Sequence, residues 1–228
     1  MNSTSSFYRF TAYCTLLMVG LIPIQMTLFI LLPPPTTVLG FFDLYAKSSL
    51  LGLLSLDFLY LINNVLIIPL YLAIYASLKP KLASVTTLAL LLGVVGIAVY
   101  YPSNPAFEFI SLSMKFAQAT SEVQRVSLLS AGDVLLAGYV GTAFNTYYVL
   151  NAFTLIVFSL AMKRSGYYSK STSTVGLISG LLMIIPSTFG TIGLLFSVLS
   201  LIPWIIFSIR VIIGFLSPSF QSKINALL

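Results

Sequence analysis

Long runs of apolar residues alternate with short polar segments along nearly the whole chain. Most runs contain about 20 residues or more, which is the length an α-helix needs to cross the hydrocarbon core of a bilayer. The pattern predicts an all-α, polytopic transmembrane helix bundle of about six spans, forming a single domain over residues 1–228. The predicted spans cover residues 8–32, 50–78, 82–101, 134–162, 174–186 and 191–215.

Prolines and basic residues mark the ends of several runs. Three consecutive prolines at 33–35 end the first run, because proline cannot continue a helix. The segment Lys79-Pro80-Lys81 separates the second run from the third. The first run is too long for a signal peptide and no small-x-small cleavage site follows it, so it is predicted to be a retained anchor.

The segment 103–133 between the third and fourth runs is more polar than its surroundings. Its first part predicts an extracytoplasmic amphipathic helix that lies on the membrane or, as a lid, on the end of the bundle. Ser121 and Gln124 have the spacing of a capping box, which predicts a second helix, and Gly132 is expected to separate that helix from the fourth span. The predicted apolar face of the first helix is Phe107, Ile110, Met114 and Ala117, opposite Glu108, Ser111, Lys115 and Gln118.

Composition supports a lipid environment. Apolar residues make up 58% of the chain and charged residues only 7%, whereas soluble domains carry about a quarter charged residues. The net charge of +6 comes from basic residues in short loops and not from a basic stripe with interleaved aromatics. The predicted partner is therefore the lipid bilayer and not nucleic acid.

The distribution of lysine and arginine predicts the orientation, because cytoplasmic loops carry an excess of these residues. With the N-terminus inside, eight of the eleven basic residues lie on the cytoplasmic side and three lie outside. The chain is therefore predicted to be a multi-pass protein of the cell membrane with both termini in the cytoplasm. The cytoplasmic group is Arg9, Lys79, Lys81, Lys163, Arg164, Lys170, Arg210 and Lys223, and the external group is Lys47, Lys115 and Arg125.

Asp57 is the one carboxylate within a predicted span, and an ionisable group there is a functional-site hypothesis by default. Asp57, Tyr60 and Asn64 are predicted to share one face of the second span. The spacing Asp57-x-x-Tyr60-x-x-Asn63 also matches Asn145-x-x-Tyr148-x-x-Asn151 in the fourth span. One interpretation is a polar site near the midplane between spans two and four that binds a small solute or ion. The alternative is hydrogen bonding between helices that holds the bundle together. The candidate ligand-binding residues are Asp57, Tyr60, Asn64, Asn145, Tyr148 and Asn151.

Chemistry-bearing motifs are scarce. The chain has no histidine and one cysteine, Cys14, which excludes histidine-based catalysis and the usual zinc sites. No Gly-rich phosphate loop, nucleophile elbow or metal cluster is present, so no cofactor, metal site or catalytic residue is predicted.

Three function classes stay open from these observations. The first is a non-enzymatic membrane module, such as a sensor or an assembly partner. The second is a small-solute or ion carrier built around the polar site, and the third is a membrane-embedded enzyme. A carrier requires its polar side chains to converge on an accessible cavity, whereas a module would have them paired.

Gly176 and Gly180 on the fifth run form a small-xxx-small pattern, which allows helices to approach closely. Packing within the monomer is the favoured interpretation, and a homo-oligomer through this pair is the alternative.

A long ordered stretch resembles a known family. The runs KFAQATSEVQR, LLSAGDVLL, GTAFNTYYVL and MKRSGYYSK, with LDFLYLINNVLIIPLYLAIYASLK before them, are similar to an uncharacterised family of prokaryotic multi-pass membrane proteins. The resemblance covers about residues 42–215. It implies about six spans and an extracytoplasmic amphipathic segment, and it implies no activity, ligand or catalytic residue.

Overall fold

The computed structural model describes residues 3–225, and within them the chain forms ten α-helices, one short 3-10 turn and no strand. The all-α prediction is confirmed. The chain ends, to which the prediction of cytoplasmic termini refers, lie outside the described residues. The helices are α1 (Ser3–Leu31), α2 (Val38–Lys47), α3 (Ser49–Ser55), α4 (Phe58–Tyr100), α5 (Ala106–Gln118), α6 (Glu122–Tyr139), α7 (Thr142–Ser165), α8 (Lys170–Leu182), α9 (Gly190–Leu216) and α10 (Pro218–Asn225), with the 3-10 turn at Tyr101–Ser103.

Four helical stretches in residues 3–225 are long and apolar enough to cross a membrane, judged by length and composition. They agree with the prediction of a membrane-embedded protein. The second and third are much longer than one crossing, since about 20 residues span the hydrocarbon core. The four stretches are Ser5–Leu31, Phe58–Gln118, Glu122–Ser165 and Gly190–Leu216.

Helix α4 is a helical hairpin and not one straight rod. Leu82 leaves the helical conformation, with φ −140° and ψ 48°. Tyr71 and Gly93 would be about 33 Å apart in a continuous helix. They are in contact, because a Cβ on Gly93 would lie 2.6 Å from the Tyr71 ring. The chain therefore reverses at Leu82, at the boundary that the sequence predicts between the second and third runs.

Two predicted runs contain breaks that the hydropathy pattern did not reveal. The run 50–78 is interrupted at Leu56 and Asp57, because Asp57 adopts the left-handed conformation with φ 59° between α3 and α4. The run 134–162 is interrupted between Tyr139 and Thr142. The sequence predicts that Gly132 separates the helix after Ser121 from the fourth span. This prediction is wrong, since Gly132 lies inside α6 and the turn comes at Gly141.

Packing divides the described chain into two compact units. Unit 1 contains residues 3–20, 64–98 and 145–225, and unit 2 contains residues 21–63 and 99–144. In unit 1, the start of α1 packs against the chain end: the Tyr8 ring lies 5.0 Å from Phe215 and 5.7 Å from Phe220, between ring centroids. Helices α8 and α9 also pack together, with Ser179 Oγ donating to the Ser200 carbonyl at 3.1 Å.

In unit 2, the short helices α2 and α3 pack with α5 and α6 around an aromatic cluster. Phe109 lies 5.5 Å from Phe41 and 5.7 Å from Phe42, between ring centroids. The Tyr45 hydroxyl donates to the Ala106 carbonyl at 2.8 Å, which fixes the start of α5 against α2. The buried members of the cluster are Val38, Phe41, Phe42, Tyr45, Leu56, Ala106 and Phe109.

The segment 103–133 contains two helices, and Ser121 caps the second by accepting a hydrogen bond from the Gln124 amide. The predicted second helix near Ser121 is confirmed. Within unit 2, α5 buries Phe109 and Ser113, while Phe107 and Met114 of the predicted apolar face are exposed. The prediction that this face lies on the membrane or on the bundle stays a prediction. The aromatic cluster selects the Phe109 face, and the sequence pattern alone does not distinguish that face from the one beside it.

Candidate functional site

A reciprocal pair of tyrosine–asparagine hydrogen bonds joins α4 and α7 in unit 1. Tyr147 of α7 donates its hydroxyl to Oδ1 of Asn64 in α4 at 3.0 Å. Tyr71 of α4 donates its hydroxyl to Oδ1 of Asn151 in α7 at 2.9 Å. Each helix therefore supplies one donor and one acceptor, and we call these four residues the polar seam.

Helical periodicity explains why these residues meet. Asn64 and Tyr71 are two helical turns apart on α4, and Tyr147 and Asn151 are one turn apart on α7, so each pair lies on one face. All four side chains are buried. A buried polar group without a partner is costly in an apolar interior, so the pairing fixes the register of the two helices.

Glycines bring the second half of α4 close to the polar seam. A Cβ on Gly96 would lie 2.5 Å from Nδ2 of Asn151, and a Cβ on Gly93 would lie 2.9 Å from Cγ2 of Thr154. The Thr154 hydroxyl donates to the Ala89 carbonyl at 3.1 Å. Gly93 and Gly96 thus act as a small-residue surface on which α7 packs, as is common between membrane helices.

One amide group of the polar seam has unused hydrogen-bonding capacity. Asn64 is fully buried, and its Nδ2 has no hydrogen-bond partner among the residues that the structure describes. The amide nitrogen of asparagine is a donor of two hydrogen bonds. Any group that binds it must therefore be a hydrogen-bond acceptor, such as water or an anion, and not a metal cation.

Asp57 belongs to unit 2 and has a different partner. Its Oδ2 accepts a hydrogen bond from the hydroxyl of Tyr139, the last residue of α6. Asp57 has a left-handed backbone and comes before the first helical residue of α4. The face that the sequence predicts for Asp57, Tyr60 and Asn64 therefore does not include Asp57. The Tyr60 ring instead contacts Tyr100, with 5.4 Å between ring centroids.

The remaining predicted residues face α9 and the turn before it. Asn145 accepts a hydrogen bond from the Thr188 hydroxyl, and Tyr148 donates to Ser197 at 2.7 Å. Of the six predicted residues, the structure thus brings Asn64 and Asn151 into one seam. The matched spacing Asn145-x-x-Tyr148-x-x-Asn151 distributes its members between different neighbours, since residues three apart on a helix diverge by about 60°.

Sequence reasoning missed Tyr71, Tyr147 and Tyr139, which supply the hydroxyl donors. The sequence analysis selected Tyr60 and Tyr148 from the apolar runs and did not select these three tyrosines. The available signal was the two-turn spacing between Asn64 and Tyr71, together with the glycines at 93 and 96.

Gly176 and Gly180 are used for packing inside unit 1. A Cβ on Gly176 would lie 2.5 Å from the Ser159 hydroxyl and 2.7 Å from the Phe207 ring, and a Cβ on Gly180 would lie 2.8 Å from Ile156. Helices α7 and α9 thus occupy this face, as the favoured interpretation expects. An oligomer through the pair stays a prediction.

Two cavities are lined by residues other than the six predicted ones. One, of about 230 Å³ in unit 2, lies between the end of α1 and helices α2 and α3. The other, of about 670 Å³ in unit 1, lies beside α9 and α10. Among residues 3–225, no group of three or more histidine, cysteine, aspartate or glutamate side chains is placed to hold a metal ion.

Comparisons with protein-family models, with curated proteins and with solved structures give no match to this chain. The resemblance to the uncharacterised family of multi-pass membrane proteins stays a prediction.

Proposed function

We propose that the chain is a non-enzymatic membrane module, a sensor or assembly partner, whose intramembrane polar residues hold its helices together. The single observation that supports this proposal is the pairing of its polar side chains. Five of the six predicted site residues form a hydrogen bond with a side chain of another helix or turn. They are Asn64, Asn145, Tyr148, Asn151 and Asp57. Pairing of this kind is what a structural role requires.

We further propose six crossings with both termini in the cytoplasm. The hairpin at Leu82 supports two crossings by α4, and α1, α7, α8 and α9 complete the set. Helix α8 is short, with 13 residues, and covers about 20 Å. The charge distribution supports the orientation, because all eight basic residues assigned to the cytoplasm lie in unit 1 and the three assigned outside lie in unit 2.

A second candidate function is a small-solute carrier, and the unpaired Nδ2 of Asn64 favours it. Such a carrier would bind a hydrogen-bond acceptor at the polar seam. An enzyme is the third and weakest candidate, because no described geometry supplies it with an acid–base pair.

Reconstituted protein in sealed liposomes distinguishes the first two candidates. Influx of small anions, polar solutes and monovalent cations is measured with wild type, Asn64→Leu and empty liposomes. The proposal expects the three samples to give the same flux. A protein-dependent flux that Asn64→Leu removes, at unchanged yield of folded protein, would establish the carrier instead.

A further inference from the structure

The 670 Å³ cavity of unit 1 lies beside the last turns of α9 and is lined by two basic side chains. Arg210 lies in α9, about 9 Å before the end of that helix, and Lys223 lies in α10. Both side chains are exposed. The cavity also borders the loop after α7 and the first turn of α8.

No carboxylate side chain of unit 1 can neutralise these cations. All five acidic residues of the chain lie in unit 2, and the segments that form unit 1 contain eight basic residues and no acidic one. Arginine and lysine side chains are hydrogen-bond donors without acceptor capacity, so both basic side chains favour an acceptor group such as a phosphate. The described residues that line the cavity include no aspartate or glutamate, so the cavity suits an anion from outside the chain.

The polar part of the cavity adds hydrogen-bonding groups. Ser169 is the N-cap of α8, and its hydroxyl accepts from the Thr172 amide at 3.1 Å. The N-terminal end of a helix carries partial positive charge and favours anions such as phosphate. Burial raises the pKa of the neighbouring Tyr168, which keeps that hydroxyl protonated and uncharged.

The rest of the wall is apolar. Ile206, Ile209 and Ile213 line the cavity from α9, and all three are exposed. These isoleucines are at successive turns of a helix that is long and apolar enough to cross a membrane. A free phosphate would use the basic end and leave the isoleucines without a partner, whereas an acyl chain would cover them.

We propose that this cavity binds an anionic phospholipid, with the phosphate between Arg210 and Lys223 and an acyl chain along the isoleucines of α9. Basic pockets between membrane helices are a recognised mode of binding acidic lipid headgroups. Arg210 and Lys223 are both assigned to the cytoplasmic side, so the lipid would belong to the cytoplasmic leaflet. That placement rests on the proposed orientation, but the binding itself does not.

Gly214 permits a test that leaves both charges in place. It lines the cavity, and a Cβ at this position would contact nothing within 4 Å, so Gly214→Leu fills the space without a clash. Gly20 offers the matched control, since it is also helical and a Cβ there would contact nothing within 4 Å. Lys79→Gln is the control for charge, because Lys79 is exposed in unit 1 and does not line the cavity.

The full chain is reconstituted in nanodiscs of phosphatidylcholine that contain a minor fraction of fluorescent phosphatidylglycerol, and enrichment of the probe around the protein is measured by energy transfer. The double variant Arg210→Gln/Lys223→Gln is expected to weaken enrichment about tenfold, because it removes two charged headgroup contacts. Gly214→Leu is also expected to weaken enrichment, because the leucine side chain occupies space in the cavity that the lipid would fill. Gly20→Leu and Lys79→Gln are expected to match wild type. Folding of every variant is checked by circular dichroism and size-exclusion chromatography.

Three results would overturn the proposal. If Lys79→Gln weakened enrichment of the probe as much as the double variant does, the lipid would be attracted diffusely by surface charge. Unchanged enrichment in Gly214→Leu would place the lipid outside the cavity. Displacement of the probe by millimolar inorganic phosphate, but not by unlabelled phosphatidylglycerol, would identify a free anion as the ligand.

Discussion

The Tyr71 hydroxyl donates a 2.9 Å hydrogen bond to Oδ1 of Asn151, a residue 80 positions further along the chain. The reciprocal bond from Tyr147 to Asn64 closes the polar seam at 3.0 Å. Helix association within a bilayer lacks the hydrophobic driving force that operates in water, so side-chain hydrogen bonds and close packing determine which faces meet. The seam is accordingly the feature that sets how α4 and α7 pack in unit 1.

Removing one partner of the seam should destabilise the protein. We expect Tyr71→Phe to lower the free energy of unfolding by about 1 kcal/mol, because it leaves the Asn151 carbonyl oxygen buried without that donor. Unfolding is followed by titrating sodium dodecyl sulfate into detergent-solubilised protein. The double variant Tyr71→Phe/Asn151→Leu should lose less than the sum of the single variants, since their effects are coupled. Strictly additive losses would refute the pairing.

The contact at Gly96 should tolerate no side chain larger than hydrogen. Gly96→Val places a Cβ 2.5 Å from Asn151 Nδ2. We expect this overpacking to lower the free energy of unfolding by about 1–3 kcal/mol. The yield of monodisperse protein after purification is the measurement. Gly20→Val is the control, because its Cβ would meet open space. Similar yields for both variants would contradict the close approach of α4 and α7.

Two glycines of α6 offer a matched test of unit 2. A Cβ on Gly132 would lie 2.3 Å from Val38, whereas a Cβ on Gly138 would contact nothing within 4 Å. Gly132→Leu should therefore lower the thermal midpoint by several degrees, while Gly138→Leu should leave it unchanged or raise it, since leucine favours helix. Midpoints are obtained by circular dichroism in detergent. The reverse order would show that α6 does not pack against α2.

Asp57 combines a left-handed backbone with a hydrogen bond from Tyr139. Asparagine adopts this conformation readily and retains an acceptor oxygen, so Asp57→Asn should keep the abundance of folded protein. Asp57→Leu should lower the free energy of unfolding by about 2 kcal/mol or more, because leucine is strained in the left-handed conformation and cannot accept the hydrogen bond from Tyr139. Abundance in membranes is measured by quantitative immunoblot. Equal abundance of Asp57→Leu and wild type would show that this turn is not structurally required.

The proposed topology can be tested with single cysteines in a Cys14→Ala background, since Cys14 is the chain's only cysteine. Ser121→Cys lies at the exposed start of α6, and Lys79→Cys lies in the exposed turn of the α4 hairpin. A membrane-impermeant maleimide should label Ser121→Cys in intact cells and Lys79→Cys only after permeabilisation. Labelling of Lys79→Cys in intact cells would show that the orientation is opposite to the proposed one.

Hydropathy and charge by themselves determined that this chain is helical and suited to a membrane, and they placed the boundary near Lys79-Pro80-Lys81 at which α4 reverses. These properties depend on local residue type: about 20 apolar residues, a proline or a lysine act through the bilayer and the backbone alone. The breaks at Asp57 and Gly141 were not predicted, because their flanking residues are apolar and the turns depend on packing of α3 and α6 within unit 2.

The choice of polar partners was decided by tertiary structure. The sequence identified Asn64 and Asn151 as residues that need a partner, but it grouped them with Asp57 and Asn145 on spacing. Spacing defines only the face of one helix, whereas a hydrogen bond also depends on which face of a distant helix is opposite. Gly93 and Gly96 permit that close approach, and so the donors of Tyr71 and Tyr147 could be assigned only once the hairpin had brought α7 against them.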